Sequence, residues 1–117
     1  MGKTEWFLPD MYWPAEDHGS YVSHEAICVL NTGDADGTVD ITLYFEDREP
    51  LRCEPVVCPA GRTRHIRTDI LRLTDGSPLP RGIGYAACVR CTVPVVVQYT
   101  RVDTTQEPLA LMTTLGY

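Results

Sequence analysis

The sequence predicts an all-β domain, an antiparallel β-sandwich, spanning residues 1–117 as one unit. Three observations lead there. Turn signals recur at short intervals along the chain, the runs between them carry strand-type alternation, and one long run from Val93 to Asp103 stays strand-like without a polar break.

The turns are Asn31-Thr32-Gly33-Asp34, Ala35-Asp36-Gly37, Glu46 to Pro50, Pro59-Ala60-Gly61, Asp75 to Pro78 and Pro80-Arg81-Gly82. Trp6 to Pro14 is aromatic and broken by Pro9, which predicts an early strand followed by an extended loop. Glu25 to Leu30 is a strand of mostly apolar residues. Thr38 to Glu46 alternates cleanly, with Val39, Ile41, Leu43 and Phe45 on one face and polar residues on the other. Thr63 to Arg67 is a short basic strand. Thr68 to Leu73 is the one helical suggestion, one or two turns with Thr68 or Asp69 as cap. Tyr85 to Thr92 and Val95 to Val102 are strands, with Pro94 between them marking a strand start, an edge or a bulge because proline donates nothing to a ladder. The tail from Glu107 to Leu115 reads equally as a final strand or a docking segment.

Side chains alternate faces along a strand. From Val93 onward one face therefore carries Val93, Val95, Val97, Tyr99, Arg101 and Asp103, and the other Pro94, Val96, Gln98, Thr100 and Val102. The first half of this run is dry on both faces, and so is Ala26 to Leu30. A two-layer domain of this size lacks the material to cover both faces of two strands, so a partner subunit is expected to cover the second.

The net charge of -6 argues against nonspecific nucleic-acid binding and against docking on an anionic membrane by charge alone. The N-terminus is polar and lacks the apolar stretch of a secretory leader, and no run is long enough to span a bilayer, so a cytoplasmic location is expected. Five cysteines, an odd number without a leader, point to free thiols. Cys88 and Cys91, three apart in a strand, face opposite ways and would not chelate together, and a disulfide between Cys53 and Cys58 is not expected.

Several segments together resemble the small soluble transducers of microbial sensory rhodopsins. They are Ser23-His24-Glu25 leading into Cys28 to Asp34, Val39 to Phe45 with Asp47 to Pro50, Pro59 to Arg67, and Val93 to Asp103, in that order. The resemblance implies a β-sandwich subunit that assembles as a homotetramer. It also implies a partner, a membrane rhodopsin, and a family-wide role in binding a small, sugar-like molecule.

A sugar site needs a flat aromatic surface and a few fixed polar groups, and Trp6, His24, Glu25, His65, Arg67, Gln98 and Arg101 are the candidates. An anion site would use Arg67 and Arg101 with His65. In the competing reading these residues satisfy one another, with Glu25 paired to Arg67 or Arg101 and Trp6 packed in a subunit interface. His24, Glu25 and His65 are chemically suited to zinc but lack paired short spacing, so no metal and no cofactor is expected. Neither a nucleophile elbow nor a phosphate loop is present, and only Glu25 with His65 could form an acid–base pair. The expected function is therefore a soluble, non-enzymatic binding and signalling module that recognises a small polar, sugar-like ligand and relays a signal to a partner. The alternative is an adaptor for a membrane photoreceptor with no small-molecule ligand.

Overall fold

The computed structural model describes residues 2–106 and 110–117. Among the described residues there are eight strands: β1 Lys3–Tyr12, β2 His24–Asn31, β3 Gly37–Tyr44, β4 Leu51–Arg52, β5 Val56–Cys58, β6 Arg62–Arg67, β7 Gly84–Asp103 and β8 Ala110–Leu115. All pairings are antiparallel. The domain is all-β, as the alternation predicts. It differs from a sandwich of two separate sheets, because one continuous sheet, in the order β4-β3-β7-β2-β6, curls into a half-barrel.

The reason is β7. Its 20 residues run through Pro94, where a strand start, an edge or a bulge had been expected. The bulge is what is found, since the register with β1 shifts between Arg90, opposite Glu5, and Val95, opposite Lys3. Residues up to Cys91 pair with β3, and residues from Val96 onward pair with β2. Neither ladder includes Pro94, so its missing N–H costs no cross-strand bond and the strand passes from one half of the sheet to the other there. On its other edge, β7 pairs with β1 in its first half and with β8 in its second.

The early strand and the extended loop expected over Trp6 to Pro14 are both present, with the loop beginning after Tyr12. β1 continues to Tyr12 across a register shift between Leu8 and Met11, a bulge that absorbs Pro9 within the pairing. The helix expected at Thr68 to Leu73 is a single turn, in which the N–H groups of Ile70 and Leu71 both reach the Arg67 carbonyl. Thr68 does not cap it, because its hydroxyl donates to the Glu25 carbonyl at 3.2 Å and accepts from the Glu25 N–H at 3.0 Å. The tail resolves to strand from Ala110 to Leu115, and residues 107–109 of the expected segment lie outside the described residues.

The core fills the concave side of the curl with Ile27, Val29, Val39, Ile41, Leu43, Val89, Val95 and Val97, all buried. Gly37 is required by close approach: a Cβ there would sit 2.6 Å from the Cys91 Sγ. All five cysteines are free. Burial pushes the Cys53 thiol up to about 12, which leaves it protonated and inert. The run from Val93 follows the predicted alternation, with Val95, Val97 and Tyr99 buried. Within this chain its second face stays open, leaving Val96 37% and Leu30 44% exposed.

Candidate functional site

The pairing of β2 with β7 places Glu25 opposite Arg101, Ala26 opposite Thr100 and Cys28 opposite Gln98. Because consecutive residues face opposite ways, this register separates the seven predicted residues.

Glu25 and Arg101 point to the concave side. Glu25 is 0% exposed and receives hydrogen bonds from the hydroxyls of Tyr85 and Tyr99 and from the Tyr12 N–H. The Arg101 Nη2 lies 3.8 Å from the carboxylate, and its Nε donates to the Tyr99 hydroxyl at 2.9 Å. Asp10 approaches the same guanidinium at 3.9 Å. Burial holds the Glu25 carboxyl above the usual range, and the tyrosine hydroxyls, the Tyr12 N–H and Arg101 offset part of that rise. The two tyrosines are themselves pushed upward by burial and by the neighbouring carboxylate, so they remain donors. The Arg101 Nη2 is buried without a hydrogen-bond partner.

Of the two arginines considered for Glu25, the structure selects Arg101. Arg67 pairs instead with Asp69 through two contacts at 3.0 and 2.8 Å. The three tyrosines at Glu25 were missed as site residues. One signal existed, since Tyr99 and Arg101 share a face of the Val93 run; Tyr12 on β1 and Tyr85 at the opposite end of β7 lie outside that run and carried none.

His24, His65, Arg67 and Gln98 stand on the convex side. Cross-strand rows run His65–Cys28–Gln98–Leu115 and Arg67–Ala26–Thr100–Thr113. His24 donates its Nδ1–H to the Val22 carbonyl at 2.9 Å and lies 3.4 Å from the Arg67 guanidinium. Exposed Leu30, Leu111 and Leu115 border these polar groups. Trp6 joins neither cluster. It sits on β1, donates its indole N–H to the Val95 carbonyl at 2.9 Å, and carries the Lys3 ammonium 4.2 Å from its ring.

The expected aromatic partner, Trp6, therefore stands away from the other predicted sugar-binding groups, and the rings beside Arg101 are those of Tyr12 and Tyr99, 5.9 and 5.7 Å from its guanidinium. The acid–base pair of Glu25 with His65 is not assembled either, because the two occupy opposite faces of the sheet. Among the described residues no three His, Cys, Asp or Glu side chains converge on a metal position. No helix among them is long and apolar enough to cross a membrane.

Comparison with known proteins gives a consistent result. Among solved structures, the chain is similar to the Thermotoga maritima 1070 protein, with 36% identity and a TM-score of 0.86 over 99% of this chain and 94% of that one. It is also similar to the Anabaena sensory rhodopsin transducer, with 39% identity and a TM-score of 0.77 over 88% of this chain and 90% of that one. No curated protein matches it. The family described as Anabaena sensory rhodopsin transducer matches residues 1–117, and the chain belongs to that family.

Proposed function

We propose that this chain is a non-enzymatic, cytoplasmic signalling adaptor that associates with itself and relays the state of a membrane rhodopsin-type receptor through protein contacts. The observation that supports it is the open convex face, where exposed Leu30, Val96, Leu111 and Leu115 mix with His65 and Gln98 on a transducer-family chain. Mixed apolar and polar surfaces of this kind suit protein partners. The residues suited to chemistry or to sugar stacking are dispersed. Self-association into a homotetramer would cover the apolar part of this face. Light scattering on the purified chain, followed by binding to a rhodopsin in lipid nanodiscs, tests the reading. A tetramer mass and saturable binding are expected; a monomer that ignores the receptor would refute it.

A second reading has one observation in its favour. His24, His65, Arg67 and Gln98 share one open face, where they could recognise a small, sugar-like ligand. Titration calorimetry against a sugar panel checks this, and an absence of both heat and thermal shift removes it.

A further inference from the structure

The chain has 16 acidic and 10 basic side chains, so an arginine should find a carboxylate easily. Arg48, Arg67, Arg81, Arg90 and Arg101 do so. Among the described residues, Arg52, Arg62, Arg64 and Arg72 have no carboxylate within ion-pair distance, and all four fall in one stretch of the sequence, from β4 to the turn after β6. Where their guanidinium contacts are seen, the partners are backbone carbonyls: Gly61 for Arg62, Val57 for Arg64, and Asp69 to Leu71 for Arg72. The acidic residues of the same stretch are Glu54 and Asp69, and Asp69 is taken by Arg67.

These arginines surround a free sheet edge. β6 ends the strand order and pairs only with β2. The Thr68 N–H donates to the Glu25 carbonyl at 2.8 Å, one step beyond the Ala26–Arg67 pair. Hydrogen-bonded and non-bonded pairs alternate along an antiparallel ladder. The N–H and C=O groups of Thr63 and His65 therefore point away from β2, and no other described strand pairs with them. Beside this edge runs a groove of about 260 Å³ between Glu54–Val56 and Arg64–Arg67. Leu71 is buried at its base, and Ile70 is 67% exposed at its rim.

We propose that the β6 edge is a docking site for an extended acidic peptide segment of a partner protein, added as a further antiparallel strand. The outward N–H and C=O groups of Thr63 and His65 would supply the ladder. Arg62 and Arg64 would meet acidic side chains on one face of the incoming strand, and Ile70 with Leu71 would take an apolar side chain. Charge selects the occupant. A second β6 laid against the first would oppose arginine to arginine, which disfavours pairing between copies. An acidic strand meets complementary charge and is steered to this patch by it. The proposal deepens the adaptor reading by giving the chemistry of a partner, and it stands or falls separately from receptor binding.

The test uses fluorescence anisotropy with a labelled peptide of alternating Glu and Val, about eight residues long, enough to span β6. A Lys-for-Glu peptide is the control. Saturable binding of the acidic peptide alone is expected, weakening with salt. The double variant Arg62→Glu/Arg64→Glu should weaken it by about tenfold or more. Thr63→Pro removes an outward N–H while leaving the backbone ladder to β2; it also loses the hydroxyl that donates to the Val29 carbonyl at 3.3 Å, so it should weaken binding relative to Thr63→Ala, which loses that hydroxyl alone, with equal melting of the two variants. Binding that survives Thr63→Pro, or equal binding of free polyglutamate and inorganic phosphate, would overturn strand addition in favour of a general anion patch. Absence of peptide binding, with aggregation of the Arg62→Glu/Arg64→Glu variant, would overturn it in favour of arginines that only protect the edge. Loss of receptor binding in nanodiscs with peptide binding retained would count against the adaptor reading alone.

Discussion

Glu25 and Arg64 are charged residues on neighbouring strands of one sheet, and the fold treats them in opposite ways. Glu25 is fully buried and receives two tyrosine hydroxyls, a backbone N–H and a nearby guanidinium. Arg64 stands exposed on the outermost strand with a carbonyl as its partner. A buried charge is tolerated only where several groups from different strands converge on it, whereas an edge charge needs none. The first cluster thus holds β1, β2 and β7 together, and the second leaves the edge free for something outside the chain.

The sharpest way to break this contrast is Glu25→Ala. It would leave Arg101 and two tyrosine hydroxyls buried around a void, and a loss of about 3–5 kcal/mol is expected in urea unfolding. A loss below about 1 kcal/mol would mean that the cluster opens to water and is not a structural lock. Next come Tyr85→Phe and Tyr99→Phe, each removing one donor to the carboxylate. About 1–3 kcal/mol apiece is expected, and the double variant should be non-additive because both donate to one group.

Acidity sharpens the comparison further. The Glu25 carboxyl titrates above its ordinary value of 4.5 because burial disfavours its charge. The folded state therefore binds this proton more tightly than the unfolded chain does. Its contribution is complete below about 4.5 and is lost as pH rises through the raised folded value. Unfolding series for wild type and Glu25→Gln should show the wild-type advantage shrinking as pH increases over that window. An advantage that grows instead would reverse the assignment. The smallest effect is expected at the other pole: Arg64→Ala should leave stability within the ~0.5 kcal/mol typical of surface changes, while peptide binding at the edge falls.

Much of the architecture was legible because strand alternation and turn residues are local. Val39, Ile41 and Leu43 declared a core face, as did Val95, Val97 and Tyr99, and both were buried accordingly. The placement of His24 and Glu25 on opposite faces follows from the same two-residue period. At Thr68 a single turn is present, within the expected one or two, but the expected Thr68 cap failed because its hydroxyl bonds to Glu25, far away in sequence. Of the start, edge or bulge expected at Pro94, the bulge is found, and β7 continues through it. Proline's cost depends on whether a neighbour needs its N–H, and at the passage between the two halves of the sheet none does.

The sequence by itself determined the all-β class, the inward and outward sides of the main strands, and the chemical types present. Each of these depends on residues adjacent along the chain. Only the tertiary structure decided that Arg101 and not Arg67 serves Glu25, that Tyr12 and Tyr85 complete that cluster, and that Trp6 stands apart from His65 and Gln98. It also decided that the basic strand β6 ends the sheet. These outcomes depend on strand order and register, which bring residues 60 and 74 positions apart in sequence within hydrogen-bond distance and leave no trace in local periodicity.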